Sequence, residues 1–333
     1  FCINCHSGHA ACGDILKQDT HQPAQYRSRP AKGRNHMPSK ESTAIKKQLT
    51  AEGFHHKWEH AGTIRQYIET LPPYPALSEE QEGFETRRFH SGSGVSMNYY
   101  VSHGTKERGT VVYMHGGAYI EEILPPHFAF ARQWTERTGF TVILPNYPTV
   151  PAADAKKLTG LMREFYVHVC AQAGRPVFLM GDSAGGALAL DMAQSVKETP
   201  LQAKGLILIS PWVDAATDNP QISALGIPQR DVFLQPAGLG AVGRMYAGGL
   251  PMDDPAVSPL FGEMGGLPRT VILAGTDDSL LPDARLLRDK MAREGVDTEY
   301  WEYENMMHVW PLFPMPEAEE ALERLHQWTA REG

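Results

Sequence analysis

The chain has 333 residues, 42% of them hydrophobic and 21% charged, the balance of an ordinary globular protein. A formal net charge of −8 argues against a nucleic-acid partner. No apolar run approaches the roughly 18 residues that span a membrane, and no charged-then-apolar signal segment is visible at the start. The length suits one large domain with a smaller subdomain attached.

Residues 1–36 read as foreign to the rest, an atypical leader. They carry Cys2, Cys5 and Cys12 and four histidines, without an apolar period, and Met37 offers a natural start. Cys2-Ile3-Asn4-Cys5-His6 has the spacing of a c-type haem attachment site, but that chemistry needs export, a pocket and an axial partner. Adventitious metal binding by Cys2, Cys5, His6, His9 and Cys12 is the better of the two special readings. No cofactor and no resident metal are expected. Cys170 stands alone in the remaining chain. A single thiol there builds no disulfide framework, so a cytoplasmic location is expected.

Residues 37–84 are expected to form the N-terminal part of a helical cap. Ile45, Leu49, Phe54, Trp58, Ile64 and Ile68 supply apolar anchors at helical spacing over 40–70. Within them His56-Lys57-Trp58-Glu59-His60 matches a metalloprotease pattern, with both histidines on one helix face. No third ligand is evident, and a solvated cap face is the better reading. Leu71-Pro72-Pro73-Tyr74-Pro75 ends the helical region, since proline cannot continue it.

From residue 84 strands and helices alternate. Strands are predicted near 85–90, 97–101, 110–114, 140–144, 176–180, 205–209, 270–274 and 298–303. Helices are predicted near 127–138, 154–173, 183–196, 280–294 and 316–331. Such alternation gives an α/β fold: a mostly parallel eight-stranded sheet with helices on both faces. Two parts of this core, 85–212 and 259–333, flank an insertion at 213–258 that interrupts the alternation. The insertion is the second cap element. Its Phe233, Met245 and Tyr246 either line a pocket or pack the cap on the core.

Four motifs carry chemistry. Thr110–Met114 runs into His115-Gly116-Gly117-Ala118, a glycine loop whose N–H groups suit a developing oxyanion. Val177–Met180 runs into Gly181-Asp182-Ser183-Ala184-Gly185-Gly186, where a sharp turn between strand and helix raises a serine hydroxyl for nucleophilic attack. A serine needs a base, and a base needs an orienter. The strand at 270–274 leads to Asp277 and Asp278; Asp278 is favoured as orienter, and Asp277 is read as a helix N-cap. The strand at 298–303 leads to His308, the candidate base. The expected oxyanion donors are the amides of Gly116, Gly117 and Ala184. Tyr119, Trp212 and Trp310 are candidate pocket residues.

Together these motifs resemble the bacterial hormone-sensitive-lipase-like esterases, a branch of the α/β-hydrolase family, over about residues 85–330. The segment Asp254-Pro255-Ala256-Val257-Ser258-Pro259-Leu260 resembles that family's return from cap to core. The resemblance implies an α/β-hydrolase fold with a helical cap, and a metal-independent Ser183–His308–Asp278 triad. It implies a serine carboxylesterase acting on a small short-chain ester through an acyl-enzyme, and a possible homodimer through the last strand. Two departures stand out. Ala118 replaces a third glycine yet keeps its N–H. Asn146-Tyr147-Pro148-Thr149-Val150-Pro151 replaces an Asp-Tyr-Arg-Leu-Ala-Pro-Glu segment, which leaves the pocket wall beside the serine open. An amidase or peptidase with the same triad, and a non-catalytic binding protein on a hydrolase scaffold, are the alternatives.

Overall fold

Alternate side chains along each central strand point to opposite faces, and both faces are buried. Val111 and Tyr113 share one core with Ile207, Ile209, Val271 and Leu273. Val112 and Met114 share the other with Leu206, Leu208 and Ile272. Burial on both sides is why these strands are continuous apolar runs. The computed structural model describes residues 37–331, apart from 78–79, 106–107 and 175–176. The haem-like and metal-like motifs of residues 1–36 lie outside the described residues.

Eight strands form one sheet: β1 (Glu85–His90), β2 (Ser96–Ser102), β3 (Thr110–Met114), β4 (Thr141–Pro145), β5 (Val177–Asp182), β6 (Gly205–Ile209), β7 (Thr270–Asp277) and β8 (Thr298–Met307). Their order is β1-β2-β4-β3-β5-β6-β7-β8. β2 pairs antiparallel with β1 and β4, and the remaining pairs are parallel. The expected mostly parallel eight-stranded sheet is therefore formed. β7 and β8 run further than their apolar cores suggested, because pairing continues past an irregularity to Asp277 and Met307. That extension carries both strands up to the residues of interest, Asp278 and His308.

Two helices precede the sheet, α1 (Lys40–Ala51) and α2 (Ala61–Thr70), in the stretch expected to form part of a cap. The helical pattern of 40–70 is broken between them: Gly53 is left-handed at φ 64°, and Phe54–Trp58 is a 3-10 turn. Ser39 caps α1 through its side chain and binds Glu317 with both its amide and its hydroxyl.

The core helices are α3 (Pro125–Thr138), α4 (Ala155–Ala173) and α5 (Ala184–Val196). The insertion holds α6 (Pro220–Ala224) and α7 (Pro236–Ala247), and the chain returns through α8 (Leu281–Arg293) and α9 (Pro316–Ala330). Phe128, Phe130 and Trp134 of α3, with Leu322, Leu325 and Trp328 of α9, cover one face of the sheet. α4, α5 and α8 cover the other. α7 packs against α2 and the 3-10 turn. The approach is close enough that a Cβ on Gly238 would lie 2.4 Å from the Trp58 carbonyl oxygen. No described helix is long and apolar enough to cross a membrane.

Candidate active site

Ser183 occupies the turn between β5 and α5 with φ 52° and ψ −122°, a conformation that costs a non-glycine residue about 1–3 kcal/mol. Its neighbours make the turn possible. A Cβ on Gly181 would lie 2.1 Å from the Gly185 carbonyl oxygen, and one on Gly185 would lie 2.0 Å from that of Met114. The amide of Ser183 donates to Ile209 and its carbonyl accepts from Trp212, so β6 braces the strained residue.

Three predicted residues meet here. His308 Nε2 lies 2.9 Å from Ser183 Oγ, and its Nδ1 lies 2.9 Å from Asp278 Oδ2. Ser183, His308 and Asp278 are all buried. With the proton on Nδ1, the ring donates to the carboxylate and accepts from the hydroxyl. Burial disfavours the charged ring, but the charge of Asp278, its hydrogen bond, and the more distant Asp231 and Asp182 outweigh it. The pKa of His308 is raised above the ordinary histidine value.

Asp278 also accepts the Leu280 amide on Oδ1 at 2.9 Å, close to the capping role read for its neighbour. Asp277 turns away. It pairs with Lys46 of α1 and with Arg230 of the insertion at 2.9 Å, so long-range ion pairs displace the local cap.

The glycine loop needs a correction. The amide of Gly116 donates to Asp182 Oδ1 at 3.0 Å and is not free for an oxyanion. A Cβ there would lie 2.3 Å from Asp182 Oδ2, so this glycine permits the close approach. Gly117 and Ala118 follow at φ 111° and φ 50°, and both line the cavity beside Ser183, whereas Gly116 does not. Ala184 is the first residue of α5, where helix amides lack an internal acceptor. Ala118, which keeps its N–H where the resemblance has a third glycine, stands with Gly117 on the cavity wall.

Asp182 organises the loop. It accepts from the Tyr113 hydroxyl at 2.7 Å, and His127 Nε2 stands 3.5 Å from its other oxygen. His127 Nδ1 accepts the Leu124 amide, which leaves the proton on Nε2. Burial alone would raise the pKa of Asp182, yet His127, Tyr113 and His115 hold it below the ordinary value. Burial and the neighbouring His127 push His115 down to about 3, so it is neutral. Its ring stacks on Tyr147 at 4.1 Å, and the Tyr147 hydroxyl donates to its carbonyl. The unusual 146–151 segment thus buttresses this loop and does not line the cavity.

A cavity of about 210 Å³ opens onto Ser183 and His308. Leu49, Phe54, Phe233, Leu234, Leu312 and Phe313 form most of its apolar wall. Lys57 and Glu121, paired at 3.0 Å, add a charged edge. Tyr119, Trp212 and Trp310 are not among its walls. Tyr119 stacks on Tyr246 at 3.7 Å, Trp212 donates to Thr217 at 2.8 Å, and Trp310 packs on Tyr303. All three are fully buried side chains held among these core partners. Of the insertion residues, Phe233 lines the cavity, and Met245 and Tyr246 do not.

The metalloprotease-like pattern does not form one helix face. His56 belongs to the 3-10 turn and His60 caps α2. Glu59 pairs with His56 at the surface, and that bond holds its pKa below the ordinary glutamate value.

Comparison with known proteins agrees with this architecture. Residues 111–312 match the model of the α/β-hydrolase fold family. An esterase of Acinetobacter venetianus is 31% identical over 219 residues, 64% of this chain and 71% of that protein. An acetyl-hydrolase of Streptomyces hygroscopicus is 28% identical over 265 residues, 77% of this chain and 88% of that one. The crystal structure of an esterase from the bacterial hormone-sensitive lipase family superposes with a TM-score of 0.72 at 21% identity, covering 88% of this chain and 98% of that one. The match extends over more than half of the chain and includes β4 to β8, the serine turn and the histidine loop: this chain belongs to the α/β-hydrolase fold family.

Proposed function

We propose that this protein is a serine carboxylesterase that hydrolyses small carboxylic esters through an acyl-enzyme. One observation carries the reading: an unbroken hydrogen-bonded relay from Ser183 through His308 to Asp278 at the floor of an apolar cavity. The esterase and acetyl-hydrolase names of its relatives support it.

Neutral His308 takes the proton from Ser183 as Oγ attacks the ester carbonyl carbon. The carbonyl oxygen becomes an oxyanion, held by the amides of Gly117, Ala118 and Ala184. Asp278 keeps the His308 proton on Nδ1 and stabilises the imidazolium. His308 then protonates the departing alcohol, and the C–O bond breaks. Water repeats the attack with the same base and releases the acid. The modest cavity favours short acyl groups, and its apolar walls exclude water from the acyl-enzyme.

The test is hydrolysis of p-nitrophenyl acetate and butyrate by the full chain, alongside labelling by a phosphonate ester. The expected result is turnover with one phosphonyl group per chain on Ser183, and loss of both in Ser183→Ala. Wild-type turnover retained by Ser183→Ala rejects the mechanism. Turnover of a matched amide at a rate equal to that of the ester rejects the substrate class.

A further inference from the structure

The insertion is fastened to the end of β7 and the loop after it by two consecutive links. Arg230 Nε donates to Asp277 Oδ1 at 2.9 Å. The next residue, Asp231, accepts the Ser279 amide on Oδ2 at 2.8 Å. Its other oxygen accepts the amides of Phe233 at 2.8 Å and Leu234 at 2.9 Å. One buried carboxylate thereby holds three N–H groups on two chain segments that are distant in sequence. Phe233 and Leu234 are cavity walls, and the Phe233 ring lies 5.8 Å from that of His308. Ser279 directly follows Asp278. The mechanism above makes no use of Asp231.

We propose that Asp231 is a positioning residue that locks the Phe233–Leu234 wall to the loop of the triad carboxylate, so that acyl selectivity depends on one side chain outside the triad. The proposal rests on the esterase reading. Its first support is hydrogen-bond chemistry. A carboxylate offers acceptors on both sides. An asparagine would aim an NH₂ group either at the Ser279 amide or at the two wall amides, and one side would be lost. The second support is electrostatic. Burial and the charge of Asp278 push Asp231 up to about 6, so its ionised form is held there at a cost that the three amides offset. The third is its surroundings. Asp278 and His308 face it, Arg230 precedes it, and Asp277 with Lys46 flanks the same loop. Its negative charge adds to that of Asp278 in favouring the imidazolium.

A staple without further role would change only the melting temperature. The test therefore reads kcat and KM against pH for p-nitrophenyl acetate, butyrate and hexanoate, in the wild-type chain, Asp231→Asn, Asp231→Glu and Phe233→Ala. In Asp231→Asn the acid limb of kcat/KM should move down by several tenths of a pH unit, and the hexanoate-to-acetate ratio should change about threefold or more. In Asp231→Glu, which keeps the charge and displaces the carboxylate by one methylene, the ratio should change while the limb stays. In Phe233→Ala the ratio alone should change, calibrating the wall without touching the charge. A folded Asp231→Asn with the wild-type ratio overturns the proposal. Should that variant fail to fold, an unchanged ratio in Asp231→Glu overturns it. An inactive wild type with no phosphonyl adduct on Ser183 rejects the esterase reading itself, and is distinguishable from either.

Discussion

The amide of Gly116 and the carboxylate of Asp182, separated by 66 positions in sequence, are bonded at 3.0 Å. The contact joins the residue before the serine to the glycine loop, which the proposed mechanism sets against the substrate carbonyl. The next two residues, Gly117 and Ala118, line the cavity. Asp182→Asn keeps an acceptor for Gly116 and Tyr113 but sets an NH₂ group against His127, whose proton is fixed on Nε2 by Leu124. The loop should loosen without leaving the fold. Loss of an oxyanion donor costs about 10²–10³ in kcat, so a misaimed pair should cost at least about tenfold, with KM changed much less. Steady-state kinetics on p-nitrophenyl butyrate check this. A KM effect larger than the kcat effect would assign the contact to substrate binding instead.

In the proposed mechanism His308 must be neutral to accept the Ser183 proton. Asp278 raises its pKa above the ordinary histidine value, so the acid limb of kcat/KM should lie above pH ~6.5. The sign follows from the charged form being the favoured one: activity is absent below that pKa and appears as pH rises through it. Asp278→Asn removes the dominant stabilising charge. Its limb should shift to lower pH while kcat falls by roughly 10⁴-fold, the usual size for losing the orienting carboxylate. A limb that stayed in place would transfer the effect to another group.

The fold was legible in the sequence because buried parallel strands are uninterrupted apolar runs, and Val111–Tyr113, Leu206–Ile209 and Val271–Leu273 obey that rule. The positions of Ser183, Asp278 and His308 were legible because each follows a strand pattern, an apolar run before the first two and the alternating Thr298–Tyr303 before the third. What failed was register within a loop. Three consecutive amides after His115 look alike, and only the distant Asp182 decides that Gly116 turns inward. The pocket failed for a related reason. Tyr119, Trp212 and Trp310 neighbour functional loops in sequence, yet their bulk is buried in the core. The true walls, such as Leu49, Phe54 and Leu312, come from elements whose arrangement over Ser183 is tertiary. Asp277 was misread as a cap because Lys46 and Arg230, its partners, lie 231 and 47 positions away.

Two aromatic substitutions separate wall from core. Phe233→Ala enlarges a cavity that already exists and should shift preference toward longer acyl chains with a modest loss of stability. Trp310→Ala removes a fully buried side chain and should cost about 3–5 kcal/mol. Any Trp310→Ala protein that remains folded should retain the wild-type ratio of kcat/KM between acetate and hexanoate esters. Chain-length series and urea titration on both variants provide the check, and a changed ratio in Trp310→Ala would return that residue to the pocket.

The serine turn makes a steric prediction. An added methyl at Gly185 would sit 2.0 Å from the Met114 carbonyl oxygen, which is backbone and cannot step aside. Gly185→Ala must push α5 from β3, and such overpacking costs about 1–3 kcal/mol or more. Because the shift acts on the turn itself, phosphonylation of Ser183 should slow by a larger factor than the melting temperature alone suggests. Gly160, where an added Cβ meets nothing within 4 Å, is the control. Gly160→Ala should leave labelling unchanged and stabilise α4 by about 0.5–1 kcal/mol.

Asp283 gives a stability test that is independent of turnover. It is buried in the first turn of α8. Asn219 Nδ2 donates to its Oδ1 at 2.7 Å, while Oδ2 has no partner among the described residues. Burial, with smaller contributions from Asp214 and Asp218, pushes its pKa up to about 7 against the bond from Asn219. Unfolded, the group titrates near pH ~3.9. Between these values the folded protein holds a proton that the unfolded chain has released. Stability present at the acid end is therefore lost as pH rises through the window, by at most about 1.4 kcal/mol per unit. Asp231, raised to about 6, adds the same sign over a narrower range. Asp283→Asn keeps the acceptor for Asn219 and supplies an uncharged group in place of the unpartnered oxygen. Its urea midpoint should exceed that of the wild type at pH 8, and the difference should shrink toward pH 5. Parallel midpoints across that range would mean that Asp283 is already ionised in the native protein, with a counter-charge or water supplying what Asn219 does not.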